Sequence, residues 1–72
     1  HWRVLRMAVQ AERIITDMFE AYKSEPTILP KHIQDNLRER SLERTICDYI
    51  AGMTDRYAIE EYRKLFDPET LP

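Results

Sequence analysis

Cys47-Asp48-Tyr49-Ile50-Ala51-Gly52-Met53-Thr54-Asp55-Arg56-Tyr57-Ala58 holds the only glycine and the only cysteine of the chain, and two of its four tyrosines. How this stretch is read decides the second half of the fold. Just upstream, Ser41 suits a helix N-cap because its hydroxyl can accept a backbone N–H of the first turn, and Glu43 in that turn suits the helix dipole. From there, at about 100° per residue, Ile46, Ile50, Met53 and Tyr57 share one face, whereas Ala58, Tyr62 and Leu65 lie roughly 100–160° around from it. The buried face therefore swings near Gly52. Either a helix runs through and is buried on different sides along its length, or it bends at Gly52 with Thr54 recapping and Asp55 in a new first turn. The reading adopted is one long helix with a local kink, ended at Phe66 because Pro68 cannot continue it. On this reading the backbone is closely approached at Gly52, and an added methyl is expected to clash.

The first half is simpler. Leu5, Ala8, Ala11, Ile15, Met18, Phe19 and Tyr22 fall at the spacing of one helix face, and Arg3, Arg6, Gln10, Glu12, Arg13, Asp17, Glu20 and Lys23 form the solvated opposite side. Pro26 disfavours a helical conformation for Glu25, so this helix is expected to end near Lys23 or Ser24. Ile28 and Leu29 of the following Thr27-Ile28-Leu29-Pro30 connector are expected to cover the end of the core. Residues 31–40, with only Ile33 and Leu37 as apolar anchors, read as a short exposed helix or an irregular loop. The fold class is all-α: a small antiparallel hairpin or bundle of two long helices, with room for a short third helix in the connector.

Composition narrows the function. A chain of 72 residues makes one small domain at most, and such a domain buries only about 60% of the surface its unfolded form exposes. A partner or a larger parent protein is therefore expected, and residues 1–72 are read as one helical domain cut from a longer chain. Hydrophobic residues at 43% and charged residues at 33% exclude an intrinsically disordered class. A net charge of −2 supplies no field to attract a polyanion, so nucleic-acid binding is not expected. No apolar run approaches the roughly 20 residues of a membrane span, and no signal-peptide pattern is present. A lone cysteine makes neither an internal disulfide nor a zinc set, which points to a reducing, cytoplasmic compartment.

The chemistry-bearing residues each have a plainer reading. Asp48 and Asp55 share a face if the helix is unbroken, but two turns set them about 10 Å apart, too far to share a proton; an arginine or a backbone donor for each is preferred. Arg44 with Asp48, and Glu60 with Lys64, stand at ion-pair spacing on a helix surface. Arg56 is expected to pair with Asp55 or another helix. Tyr49 and Tyr57 suit core packing with bonded hydroxyls, or a wall against a base or sugar. Cys47 reads as a small buried hydrophobe and His32 as a surface residue.

Asp48 to Ala58, followed by Tyr62 and Leu65-Phe66, resembles the C-terminal signature of the deoxyguanosinetriphosphate triphosphohydrolase family, which belongs to the HD-domain phosphohydrolases. The upstream order, a helix over residues 11–22 and then Pro26 and Leu29-Pro30, is similar too, so the resemblance spans nearly the whole chain. It implies a parent enzyme that hydrolyses a deoxynucleoside triphosphate to the deoxynucleoside and inorganic triphosphate, with a divalent metal held by the HD motif, and that is commonly a homo-oligomer. It further implies that Asp48, Gly52, Thr54 and Asp55 are a structural signature, that Arg56, Tyr49 and Tyr57 are the residues to reach substrate in the parent, and that the rest of that enzyme is the partner of this segment. The segment itself carries only His1 and His32 and no His-Asp pair, so no catalytic residue, metal ligand or cofactor is expected in it. The expected role is to scaffold the HD core or the oligomer interface; the alternative is a free-standing helical interaction module without enzymatic activity.

Overall fold

The structure, a computed structural model, describes the backbone of residues 2–66 and the side chains of residues 9–66. Four α-helices follow one another, α1 (Trp2–Ser24), α2 (Lys31–Gln34), α3 (Leu42–Ala51) and α4 (Asp55–Phe66), with 3-10 turns at Pro26–Ile28 and Asp35–Arg38. All the secondary structure among the described residues is helical, as the composition implied. Leu5 and Ala8 of the α1 stripe, and the stop at Asp67-Pro68, lie outside the described side chains and residues.

α1 runs unbroken because residues 2–24 contain neither Pro nor Gly. It ends where the sequence requires. Glu25 leaves the helical region at φ −137°, ψ 79° to accommodate Pro26, while its N–H still reaches Ala21 O at 3.0 Å. Gln34 then ties down the connector, its Nε2 donating to Leu29 O at 2.7 Å and to Thr27 O at 3.2 Å. That fixes Leu29 in the core, whereas Ile28 stays 41% exposed; only one of the two expected core covers serves as one.

The core is Met18, Tyr22, Leu29 and Ile46, ringed by half-buried Ile14, Phe19, Ile33, Leu42, Tyr49, Ile50, Met53, Tyr62 and Leu65. Burying each of the larger of these side chains contributes about 1.5–3 kcal/mol. On α1 the core line is Ile14-Met18-Tyr22. Ile15, placed on that face by its spacing to Met18, is 50% exposed, because it sits a further 100° or so around the helix from Ile14.

The second half departs from the long-helix expectation. Ser41 caps α3 as expected, its Oγ accepting from Arg44 N at 3.1 Å. α3 then stops at Ala51 instead of kinking. Gly52 donates to Asp48 O at 3.1 Å and Met53 to Ile50 O at 3.1 Å, which closes the last turn. Thr54 starts α4 by accepting from Tyr57 N at 3.1 Å through its Oγ1, with Asp55 in the first turn. The apolar face swings because these are two helices, each turned independently onto α1. Tyr62 of α4 reaches back across that contact and donates to Asp17 Oδ2 at 3.1 Å.

Candidate functional site

Where α3 gives way to α4, the chain folds over α2 and leaves a cleft of about 380 Å³. α2 contributes His32 and Ile33, the end of α3 Asp48 and Tyr49, the turn Gly52, Met53 and Thr54, and α4 Tyr57. The lining thus mixes aromatic, aliphatic and thioether side chains with polar ones.

The tyrosines are its most organised part. Tyr49 packs its ring edgewise on Tyr22, centroids 5.7 Å apart at 68°, and its hydroxyl meets that of Tyr57 at 3.0 Å. This bond spans the Gly52 turn and ties α3 to α4. Burial pushes the Tyr22 hydroxyl up to about 12, with the Glu61 carboxylate and Tyr57 adding to the rise and Tyr49 opposing it. Burial, then the bond to Tyr57, raises Tyr49 further still. Tyr62 is raised by its bond to Asp17 and by burial. At neutral pH these phenols are therefore uncharged, able to donate, accept and stack but not to act as bases. The buried Tyr22 hydroxyl and Thr45 Oγ1 have no hydrogen-bond partner among the described residues.

Asp48 is held by two arginines. Arg40 Nη1 lies 2.8 Å from Oδ2, and Arg44 Nε donates to both carboxylate oxygens at 3.1 Å. The Arg44 pair was legible from its spacing; the Arg40 pair, which joins the connector to α3, was not. All three side chains are exposed, so each pair is worth well under about 1 kcal/mol. Since α3 ends at Ala51, Asp48 and Asp55 do not share a helix face; Asp55 borders a groove between α1 and α4 instead.

Arg56 is placed outside the cleft, its side chain 92% exposed and 3.6 Å from Glu60. That is a pairing with neither Asp55 nor another helix. With Glu60 facing Arg56, Lys64 faces Glu61 at 3.8 Å in place of the expected Glu60–Lys64 pair. Cys47 is exposed, a correction to the buried reading: Ile46 and Ile50 take the core side of α3 and leave Cys47 turned away. His32 is exposed, as expected, yet borders the cleft with Met53. Neither showed in the sequence, because α2 meets the α3–α4 turn only through the connector fold. Tyr22 was visible only as a member of the α1 stripe.

The cleft therefore offers stacking surface, neutral hydroxyls and a compensated carboxylate, a set suited to binding and positioning. Among the described residues no group of three or more His, Cys, Asp or Glu is placed to hold a metal ion, and Asp48, next to the one described histidine, is already occupied by two guanidinium groups. No described helix is long and apolar enough to cross a membrane.

Residues 1–64 match the family model of the phosphohydrolase-associated domain. Over 68 residues, 94% of this chain, it is 50% identical to a deoxyguanosinetriphosphate triphosphohydrolase-like protein of Geobacter metallireducens. Proteins of the same description from Caulobacter vibrioides and Bordetella pertussis are 52% and 49% identical over 92% and 93% of it. The chain spans only 17–18% of the length of these curated relatives. No solved structure matches it. With a family model matched across residues 1–64 and about half of the aligned residues shared with these relatives, the chain belongs to the phosphohydrolase-associated domain family.

Proposed function

We propose that this chain is the C-terminal associated segment of a longer, cytoplasmic and oligomeric deoxynucleoside triphosphate triphosphohydrolase, where it scaffolds the HD core or the subunit interface. The observation that carries this reading is the 50% identity over 94% of the chain to a triphosphohydrolase-like relative of which it spans 18%. The site supports the reading in kind, since it supplies surfaces that pack and position. Tyr49 and Tyr57, whose hydroxyls meet at the mouth of the cleft, and Arg56, fully accessible at the start of α4, are the residues proposed to meet the substrate. A phenol pair of this kind presents a ring face to a base or sugar, and an arginine fits a phosphate bidentately.

The test is product analysis on the complete polypeptide supplied with dGTP and a divalent metal. Deoxyguanosine and inorganic triphosphate in equal amounts are expected, and the 72 residues alone should release none. Release of orthophosphate or pyrophosphate, or no turnover by the complete polypeptide, would overturn the reading in favour of an interaction module. Arg56→Ala and Tyr57→Ala in the complete polypeptide should raise KM more than they lower kcat; unchanged KM removes them from the substrate site.

A further inference from the structure

Part of the aliphatic surface that the core leaves open lies between α1 and α4. Ala11, Ile14 and Ile15 of α1 and Ala58 and Ile59 of α4 line a groove of about 260 Å³. Ile15 and Ile59 are 50% and 43% exposed. In the sequence the same α1 stripe continues upward through Ala8 and Leu5. The groove has a helix on each side, the shape into which the ridge of a third helix packs. Gln10 and Asp55 at its border are uncharged and acidic respectively, and no basic side chain lines it.

We propose that this groove seats an amphipathic helix from the remainder of the same polypeptide, packed between α1 and α4 with its apolar face toward Ile15 and Ile59. The inference rests on the proposed function, since it takes the chain to be part of a longer enzyme, and it deepens that reading by naming the docking face. Two observations choose this occupant over a second copy. The open aliphatic surface is made by Ala11, Ile14, Ile15, Ala58 and Ile59 alone, far fewer side chains than the roughly 20–30 a side that separate chains bury in a stable interface. A tethered helix needs far less area, because its association is intramolecular. The relatives supply the tether: the chain spans 18% of their length, so most of such a polypeptide lies beyond these residues.

The experiment places the photo-crosslinking residue p-benzoylphenylalanine at position 59 of the complete polypeptide, with position 28 as control. Ile28 is 41% exposed and does not line the groove. Irradiation is expected to join position 59 to a peptide outside the 72 residues with no gain in mass on a denaturing gel, at a yield several times that of position 28. A band of doubled mass means a second copy occupies the groove and overturns the proposal; equal yields at 59 and 28 mean an open groove and overturn it as well. Should the bulky probe prevent folding, Ile15→Glu is to lower the thermal midpoint of the complete polypeptide by several degrees and Ile28→Glu to leave it in place. Equal shifts, or none, overturn the proposal. A polypeptide that forms the intrachain cross-link but hydrolyses no dGTP sinks the proposed activity and leaves the docking intact.

Discussion

Replacing Gly52 by alanine is expected to stabilise the chain by about 0.4–1 kcal/mol. The backbone at Gly52 has φ −83° and ψ −3°, a conformation open to any L-residue, so the methyl costs no strain. An added Cβ would lie 3.5 Å from Asp48 O and 3.7 Å from Tyr49 O, ordinary van der Waals contacts. The two hydrogen bonds that close the turn use the N–H groups of Gly52 and Met53, which the substitution leaves in place. What changes is the unfolded chain, which loses the freedom glycine gives it. Close approach at this turn, expected from the swing of the apolar face, is thus corrected by the space around it. With a urea slope of about 1 kcal/mol/M for a domain this small, the midpoint should rise by about 0.4–1 M at unchanged slope. A lowered midpoint would refute the reasoning, because it requires either a neighbour nearer than those two carbonyls or a backbone that needs glycine.

Thr54→Ala removes the cap of α4 and should cost about 1 kcal/mol by the same urea measurement, as expected of a lost Ser or Thr cap; no loss would mean that the Tyr57 N–H finds another acceptor. Ile46→Ala empties the centre of the core and should cost about 2–5 kcal/mol, against under about 0.5 kcal/mol for the exposed Cys47→Ala. For Tyr22, a folded value of about 12 against the ordinary 10.0 means that its contribution is whole below pH 10 and is lost as pH rises through 12. Stability followed by circular dichroism should fall across that window, and Tyr22→Phe should flatten the fall, leaving the share due to Tyr49 and Tyr62.

Features set within one turn of chain were legible beforehand. Pro26 forced the end of α1, Ser41 supplied a cap that its own helix needs, and Arg44 reached Asp48 from four residues away. The family and the all-α class followed from residues 48–58 and from composition. The break at residues 52–54 was open to two readings because Gly52, Thr54 and Asp55 suit a kink or a new start equally well; what decides is how α4 packs on α1, through Tyr62 and Asp17, 45 residues apart. The cleft was half legible for the same reason. Tyr49 and Tyr57 stand out as residues, but their meeting, the Arg40–Asp48 pair and the approach of His32 depend on how separate elements are brought together. Arg56 shows the converse: its neighbours in sequence promised a bound arginine, and the helix turned it to solvent.

α1 is packed by both later helices, and those two are joined to each other by the Gly52 turn and the Tyr49–Tyr57 bond. The holdings are unequal: α3 contributes buried Thr45 and Ile46, whereas α4 has no residue that is fully buried. The molecule is therefore a spine with two leaves, of which the second lifts off more easily. Swinging α4 outward would break the Tyr62–Asp17 bond and the single phenol contact and take Tyr62 and Leu65 off the core, while the packing of α3 on α1 through Ile46 is left in place. In a graded order of openings, α4 is the first step and the α1–α3 pair the last. A segment built this way can hand one helix to a neighbour and keep its α1–α3 pair together.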